Sequence, residues 1–474
     1  MTGTRVPDPL AGGIGSGSGG AAVATAEDGH GHGAEHAGHA SRTQGPQEQG
    51  AALRVLILGA GLIGTALHEA LVARGHQSTL AVRNGDRRGD GVVSLDVTAP
   101  SDAAALAEVM AGVDVLVNTV GIFRDTAQQS FDAVHVKGPL RLFEAARDAG
   151  VGRIVQLSAL GADPASPLPY FASKGQAEQA LSAFGVDHAI VRPSLVFAPR
   201  GASTRWFAQL AGLPLLPLPG GGRQQVQPVH LDDLVEALVR LVVADEVPRR
   251  LDVVGPRVLA LREYLELFRN AIGAPGATVP VSGHLARAGA RLLARLSPRL
   301  PVDPDALAML EAGNTSDPAP FTRWLGRAPR EPASFIGQAA ADALRAPALL
   351  GWAVPLMRGT LVVMWVATAV ISLWLYPREL SMALLGQVGL HGVAAELALW
   401  SAALLDLALG AALLVPGWRT RAYLAQLALV VGYTVIITFW LPGQWLHPFG
   451  PVLKNIPLLA MILALLAIDR RPWT

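Results

Sequence analysis

Residues 53–83, LRVLILGAGLIGTALHEALVARGHQSTLAVR, open on an unbroken apolar run, pass through a glycine turn into apolar positions at helical spacing, and close on a second β-rich run. That order predicts strand, turn, helix, strand. From Leu53 to about Gly255 short β-rich runs keep alternating with helical segments, with strands expected at Arg54–Leu58, Ser78–Val82, Gly91–Leu95, Val113–Thr119, Arg153–Ser158 and His188–Arg192. The alternation predicts an α/β fold, a doubly wound parallel sheet covered by helices on both faces. Residues 256–345 read as mixed and helical, with an amphipathic, arginine-bearing stretch at 284–296. A helix and a turn-rich cap are expected within VDPDALAMLEAGNTSDPAPFTRWLG, completing a substrate side.

After Pro347 the pattern changes to long apolar runs at 359–376, 393–415, 422–441 and 449–468. Each is near bilayer-spanning length, with Trp and Tyr near the ends, so four transmembrane helices are expected. Arg345 and Arg358 precede the first run, Arg419 and Arg421 lie between the second and third, and Arg470 and Arg471 follow the fourth; the opposite loops offer Arg378. By the positive-inside rule both termini and the sheet domain face the cytoplasm of a bacterial inner membrane. The N-terminus has no signal-peptide core and no twin arginine, in agreement.

Composition narrows the chemistry. A hydrophobic fraction of 51% with 16% charged residues over 474 positions is too apolar for a purely soluble protein. A net charge of +1 gives no basic field, so nucleic acid is not an expected partner. The absence of cysteine excludes thiol catalysis, disulfides and cysteine-ligated metal. Residues 1–50 are rich in Gly, Ala, Ser and His without a periodic apolar face, and are expected to form a disordered tail. Its His30, His32, His36 and His39 lack metal-ligand spacing, and no metal site is expected. The expected domains are therefore this tail, a sheet domain over 51–345 and a membrane domain over 346–474.

Gly59-Ala60-Gly61-Leu62-Ile63-Gly64 fits G-x-G-x-x-G directly between a strand and a helix, the Rossmann-like arrangement for a dinucleotide. There the first glycine allows the tight turn, the second lets backbone approach a pyrophosphate, and the third lets helix and strand pack. The second strand ends on Arg83, with Arg87 and Arg88 following and no acid at the ribose-reading position. Guanidinium groups suit a 2′-phosphate, so NADP(H) is expected in preference to NAD(H). Asp96, with Val97, ends the third strand and is expected on the adenine side.

Tyr170 and Lys174 lie four apart in YFASKGQAEQALSAFG, hence on one helix face. An ammonium beside a phenol favours the phenolate and makes the tyrosine a proton donor and acceptor near neutrality. Ser158 ends the preceding strand, at the sheet edge where α/β folds place ligands. The separation of Ser158 from Tyr170, the Asn118-Thr119-Val120-Gly121 element, VRPSLVFAP (191–199, containing Pro193) and VQPVHLDDLVEAL (226–238) resemble the short-chain dehydrogenase/reductase superfamily. The nearest likeness, over roughly residues 53–340, is to the atypical branch holding the NADPH-binding accessory subunit of respiratory complex I and NmrA-like proteins. That resemblance implies Tyr170 as acid/base, Lys174 on the nicotinamide ribose, Ser158 orienting a carbonyl and Asn118 steadying the cofactor region. It also implies Gly59, Gly61, Leu62, Ile63, Gly64, Arg83, Asp96, Val97, Thr119, Gly121, Lys174 and Pro193 around the cofactor.

Glu396, Asp406 and Lys454 are ionisable residues within apolar runs; Glu396 and Lys454 fall at similar depth, where they could pair. The run WLHPFGPVLKNIPLL (445–459) and the four-helix layout resemble the DoxX-like membrane family, loosely associated with quinone or redox functions. Together the two halves imply a membrane-anchored NADP(H)-dependent oxidoreductase acting on a small lipophilic carbonyl, alcohol or quinone-like substrate from the lipid bilayer. The alternative is a non-catalytic NADP(H)-binding scaffold or sensor of a membrane redox complex.

Overall fold

The computed structural model describes residues 52–83, 91–98, 103–126, 129–285, 287–289, 304–311 and 313–470. The histidines of the N-terminal stretch, Arg87, Arg88 and most of the 284–296 stretch lie outside them. In chain order the sheet domain contains β1 (Arg54–Leu58), α1 (Leu62–Val72), β2 (Gln77–Val82), β3 (Val92–Ser94), α2 (Ala103–Met110), β4 (Val115–Asn118), α3 (Gly138–Asp148), β5 (Arg153–Leu157), α4 (Pro169–Ala183) and β6 (Asp187–Pro193). There follow β7 (Val196–Phe197), α5 (Ala202–Ala211), β8 (Leu215–Pro219), β9 (Gln225–Val226), β10 (Val229–His230), α6 (Leu231–Val243), β11 (Arg250–Val253), β12 (Leu259–Ala260), α7 (Leu261–Ile272), β13 (Ala277–Val281), α8 (Pro304–Glu311) and α9 (Ala319–Leu325).

Seven strands form one parallel sheet in the order β11-β6-β5-β4-β1-β2-β3. The six expected strands are present, β1 with its expected ends and the other five with ends shifted by one or two residues, and the edge strand β11 is an addition. Alternation along β1 decides the layers: Val55 and Ile57 pack with Leu67 and Leu71 of α1 and Leu234 and Leu238 of α6. Leu56 and Leu58 pack on the other face with Met110 of α2, Phe143 of α3 and Leu181 of α4. Burying side chains such as Leu67 and Leu71 completely contributes about 1.5–3 kcal/mol each.

A second lobe packs α5, α7 and β8 around Phe207, Tyr264 and Phe268, and takes Leu344 and Ala348 from the next helix into its core. That helix, α10 (Gln338–Val370), runs on through one π-helical turn to Leu375, 38 residues in all. The expected first span is therefore its distal half, and the expected division near residue 345 falls inside one continuous helix. It leads into α11 (Arg378–Gln387), α12 (Gly392–Ala412), α13 (Arg419–Trp440) and α14 (Asn455–Asp469).

Among the described residues three helices are long and apolar enough to cross a membrane, and the fourth expected run forms a shorter apolar helix. The last, α14, has 15 residues, a rise of about 22 Å against a hydrocarbon core of about 30 Å. Its expected beginning at Phe449 is instead a turn, with Gly450 at φ +52° followed by Pro451. The bundle is apolar on both sides. Leu361, Leu413, Ile462 and Leu465 face inward, while Val363, Val393, Leu397 and Phe439 are exposed, the pattern of helices set in lipid.

The ionisable residues settle differently from expectation. Glu396 pairs with Arg378 at 2.8 Å instead of Lys454, because Arg378 opens the adjoining α11. Asp406 is buried on α12 and its Oδ1 has no hydrogen-bond partner. Arg358 donates to both Asp469 oxygens at 3.0 Å and to Tyr423 Oη at 3.1 Å, tying α10, α13 and α14 together at one end of the bundle.

Candidate dinucleotide and catalytic site

The glycine turn has three different geometries. Gly59 stands at φ +94°, and a Cβ there would sit 3.0 Å from Val120 Cγ2. A Cβ on Gly64 would overlap the Gly59 carbonyl, whereas one on Gly61 would meet nothing within 4 Å. Gly61 caps α1 without a side-chain bond, and the first helical bond runs from Thr65 N–H to Gly61 O at 2.9 Å. The amides of Leu62, Ile63 and Gly64 thus stand outside the helix's own ladder, and Gly61 and Leu62 are exposed at the turn. A strained turn, an open backbone and a free helix N-terminus fit a pyrophosphate.

Around this turn the strand ends are locked. Thr119 Oγ1 donates to Leu58 O at 2.8 Å and lies 3.0 Å from Gly59 O. Asn118 is buried: its Nδ2 donates to Gln156 Oε1 at 2.9 Å, and its Oδ1 accepts from Val120 N–H at 3.0 Å. Asn118 therefore holds the 118–121 turn in shape. Arg83 is exposed immediately after β2. Asp96 accepts from Thr98 N–H at 2.8 Å and Thr98 Oγ1 at 2.7 Å, Val97 O accepts from Arg141 Nη2 at 3.1 Å, and Pro193 O accepts from Leu160 N–H at 3.0 Å.

Ser158 follows β5, is 4% exposed, and its Oγ has no partner. Lys174 reaches the same strand ends from α4: its Nζ donates to Leu157 O at 3.2 Å and Val120 O at 3.4 Å. Burial pushes the ammonium down to about 8, against the opposing pull of Glu178. Glu178 in turn receives Arg192 Nε at 2.9 Å.

Tyr170 departs from expectation. Burial pushes its phenol up to about 12, so the phenolate-favouring effect of Lys174 is not realised. The reason is placement: the ammonium is engaged with two backbone carbonyls, while Tyr170, in the first turn of α4, packs among rings. Phe123 stacks on it at 5.7 Å and 18°, and Phe131, His135 and Phe171 meet it edge-on at 6.1, 5.7 and 5.5 Å.

His135 is the residue that sequence reasoning missed. It lies in a π-helical turn, Asp132–Lys137, directly before α3 and is 1% exposed. Its Nε2 accepts from Ile122 N–H at 3.0 Å, so Nδ1 carries the proton and donates to Ser173 Oγ at 2.9 Å; Ser173 Oγ donates to Tyr170 O at 2.9 Å. Burial and the Lys174 charge push its imidazole down to about 3. The chain of bonds ties the loop after β4 to the start of the Tyr170 helix. The signal was available, since His135 falls at the spacing of the buried Pro139, Leu142 and Ala146.

Comparison with known proteins agrees with this geometry. The model of NAD(P)H-binding domains matches residues 59–206, and that of the DoxX-like family matches residues 362–463. The 40 kDa subunit of NADH-ubiquinone oxidoreductase from Neurospora crassa is 29% identical over 160 residues, 34% of this chain and 42% of that one. The ceramide reductase of Caulobacter vibrioides is 31% identical over 194 residues, 39% of this chain and 59% of that one. The chain thus spans under two thirds of the length of either relative. A nucleoside-diphosphate-sugar epimerase from Staphylococcus aureus superposes at TM-score 0.50 with 18% identity, over 60% of this chain and all of that one, a likeness of fold. The protein joins an NAD(P)-binding Rossmann-like domain, with oxidoreductases among its relatives, to a DoxX-like membrane domain.

Proposed function

We propose that this protein is an NADP(H)-dependent oxidoreductase that moves hydride to or from a lipophilic carbonyl, alcohol or quinone-like compound drawn from the bilayer. The observation that carries the reading is the partnerless, buried Ser158 hydroxyl at the strand ends, next to the Leu157 carbonyl that holds Lys174. A buried hydroxyl without a partner costs about 1–3 kcal/mol, a cost relieved when a substrate oxygen accepts from it.

Bound NADP(H) supplies the hydride. Gly61 and the α1 amides hold its pyrophosphate, Asn118 and Thr119 keep the neighbouring turn in shape, and Arg83 reads the 2′-phosphate. Tyr170, which retains its proton in the absence of cofactor, gives that proton to the substrate oxygen that Ser158 orients. Lys174 steadies the ribose side. The arginines flanking the helices support a cytoplasmic sheet domain on a bacterial inner membrane.

The test is NADPH consumption by detergent-solubilised protein against a panel of lipid-soluble aldehydes, ketones and quinones. Wild type turns over at least one of them, and Tyr170→Phe and Ser158→Ala lose activity by about 10²-fold or more. No turnover across the panel, or an unaffected Tyr170→Phe, refutes the proposal. One observation favours a second reading, a non-catalytic NADP(H)-binding member of a membrane redox complex: the exposed Phe123 ring lies over Tyr170. Copurified NADPH that survives the panel, in a stable complex, would select that reading.

A further inference from the structure

The second lobe presents an apolar surface that its own core does not use. Strands β8 and β13 form an isolated two-stranded parallel ribbon with Leu215 opposite Ala277 and Pro217 opposite Val279. Leu216 and Leu218 turn into the lobe core, while Leu215 is 66% and Val279 42% exposed; Leu285, just beyond, is 67% exposed. The turn carrying Leu215 is fixed, because Arg269 Nε donates to Ala211 O at 3.1 Å and Ala277 N–H donates to Pro214 O at 2.9 Å.

Helix α10 gives the height of this ribbon. A Cβ on Gly351 would lie 3.4 Å from Gln209 Cγ, and one on Gly212 3.0 Å from Ala348 O, so the end of α5 is level with residues 348–351. On the same continuous helix Arg345 is exposed, Trp352 follows Gly351, and Leu356 is exposed before the Arg358 cluster. The Arg358 cluster closes the end of the bundle, and Trp352 lies six residues, about 9 Å of helix, before it, at head-group depth. The α5 end, and the Leu215 turn that leaves it, stand at the tryptophan level.

We infer that the β8–β13 ribbon is a membrane-contacting surface: Leu215 and Val279 enter the head-group region of the leaflet from which α10 emerges, with lipid as the partner. The surface continues the bilayer contact of the spanning helix and matches interfacial burial of an apolar face. It deepens the substrate class proposed above, since it sets the substrate-side lobe where a lipophilic compound is dissolved.

The chain has no cysteine, so single cysteines can be spin-labelled without background. Leu215→Cys and Val279→Cys are labelled in full-length protein in nanodiscs of phosphatidylcholine and phosphatidylglycerol. Val72→Cys on α1 and Val243→Cys on α6 serve as aqueous references, and Val363→Cys on α10 as the lipid reference. Both ribbon labels should be at least about threefold less accessible to a water-soluble nickel chelate than the aqueous references, and more accessible to oxygen. If either ribbon label is as open to nickel as Val72→Cys, the inference is overturned. The readout needs no turnover, so its failure is distinguishable from failure of the hydride-transfer reading.

Discussion

Replacing His135 by phenylalanine keeps a ring in the π-turn and removes both nitrogens. At pH 7.5 the variant leaves the half-buried Ile122 N–H unpaired and the Ser173 Oγ without the N–H it accepts from, a cost of about 2 kcal/mol. The pH dependence then separates a buried neutral imidazole from a merely well-packed ring. Folded His135 titrates near 3 and the unfolded residue near 6.5. As pH falls below 6.5 the unfolded chain binds a proton that the folded one refuses, so wild-type stability is lost across the window from 6.5 down to 3. By pH 5 this loss is about 2 kcal/mol in the wild type and zero in His135→Phe. Every other titrating group is common to both proteins, so the gap between them should close from about 2 kcal/mol at pH 7.5 to near zero at pH 5. Thermal unfolding in detergent at fixed ionic strength reads this as a midpoint difference of roughly 3 °C that disappears. A gap that is constant or wider at pH 5 would refute the assignment of His135 as a neutral, buried link.

The glycine turn offers a paired test: Gly61→Ala should fold with unchanged stability yet weaken NADPH binding about tenfold or more, because its Cβ points into open space; Gly64→Ala should lose about 1–3 kcal/mol of stability by overlapping the Gly59 carbonyl. Arg83→Asp should weaken NADPH binding by roughly 1–3 kcal/mol and leave NADH binding nearly unchanged, since a carboxylate repels a 2′-phosphate but accepts from a ribose hydroxyl; equal loss for both nucleotides would remove Arg83 from the site. Asp406→Leu should raise the unfolding midpoint, because the buried Oδ1 has no partner to lose; a lower midpoint would mean that the carboxyl is satisfied by a group bound in the bundle.

How much of this was legible in the sequence follows from which interactions are local. The strand–turn–helix at 54–72 was readable because the apolar run, the glycines and the helical periodicity all lie within one short segment, and each glycine's steric role depends on its immediate neighbours. Residues Asn118, Ser158 and Lys174 were legible as a set only through resemblance, for they come from the ends of β4 and β5 and from α4. The proton state of Tyr170 was not legible at all. An i, i+4 spacing places two side chains on one face without saying that they turn toward each other, and here Lys174 is drawn to the Val120 and Leu157 carbonyls while Tyr170 packs among aromatic rings. Length alone misjudged the last helix, because hydropathy counts Phe449 to Lys454 as apolar sequence whereas Gly450 and Pro451 turn the backbone there.

The boundary between the two halves carries the remaining step. An apolar run preceded by arginines reads as the start of a membrane domain at about residue 346; the structure has there a helix whose first turns belong to the core of the second lobe and whose last turns belong to the bundle. Leu344 and Ala348 are buried against α5 and α7, and Leu361 and Trp365 against the spanning helices, with about 20 Å of uninterrupted helix between Ala348 and Leu361. A flexible tether would let the sheet domain sample every orientation to the lipid, at no cost to cofactor binding. A shared helix fixes one orientation, and fixes it through the core of the second lobe. Such rigidity has little use for a domain that merely needs anchoring, but it suits the proposed lipophilic substrate, which would arrive from one direction, the leaflet surface.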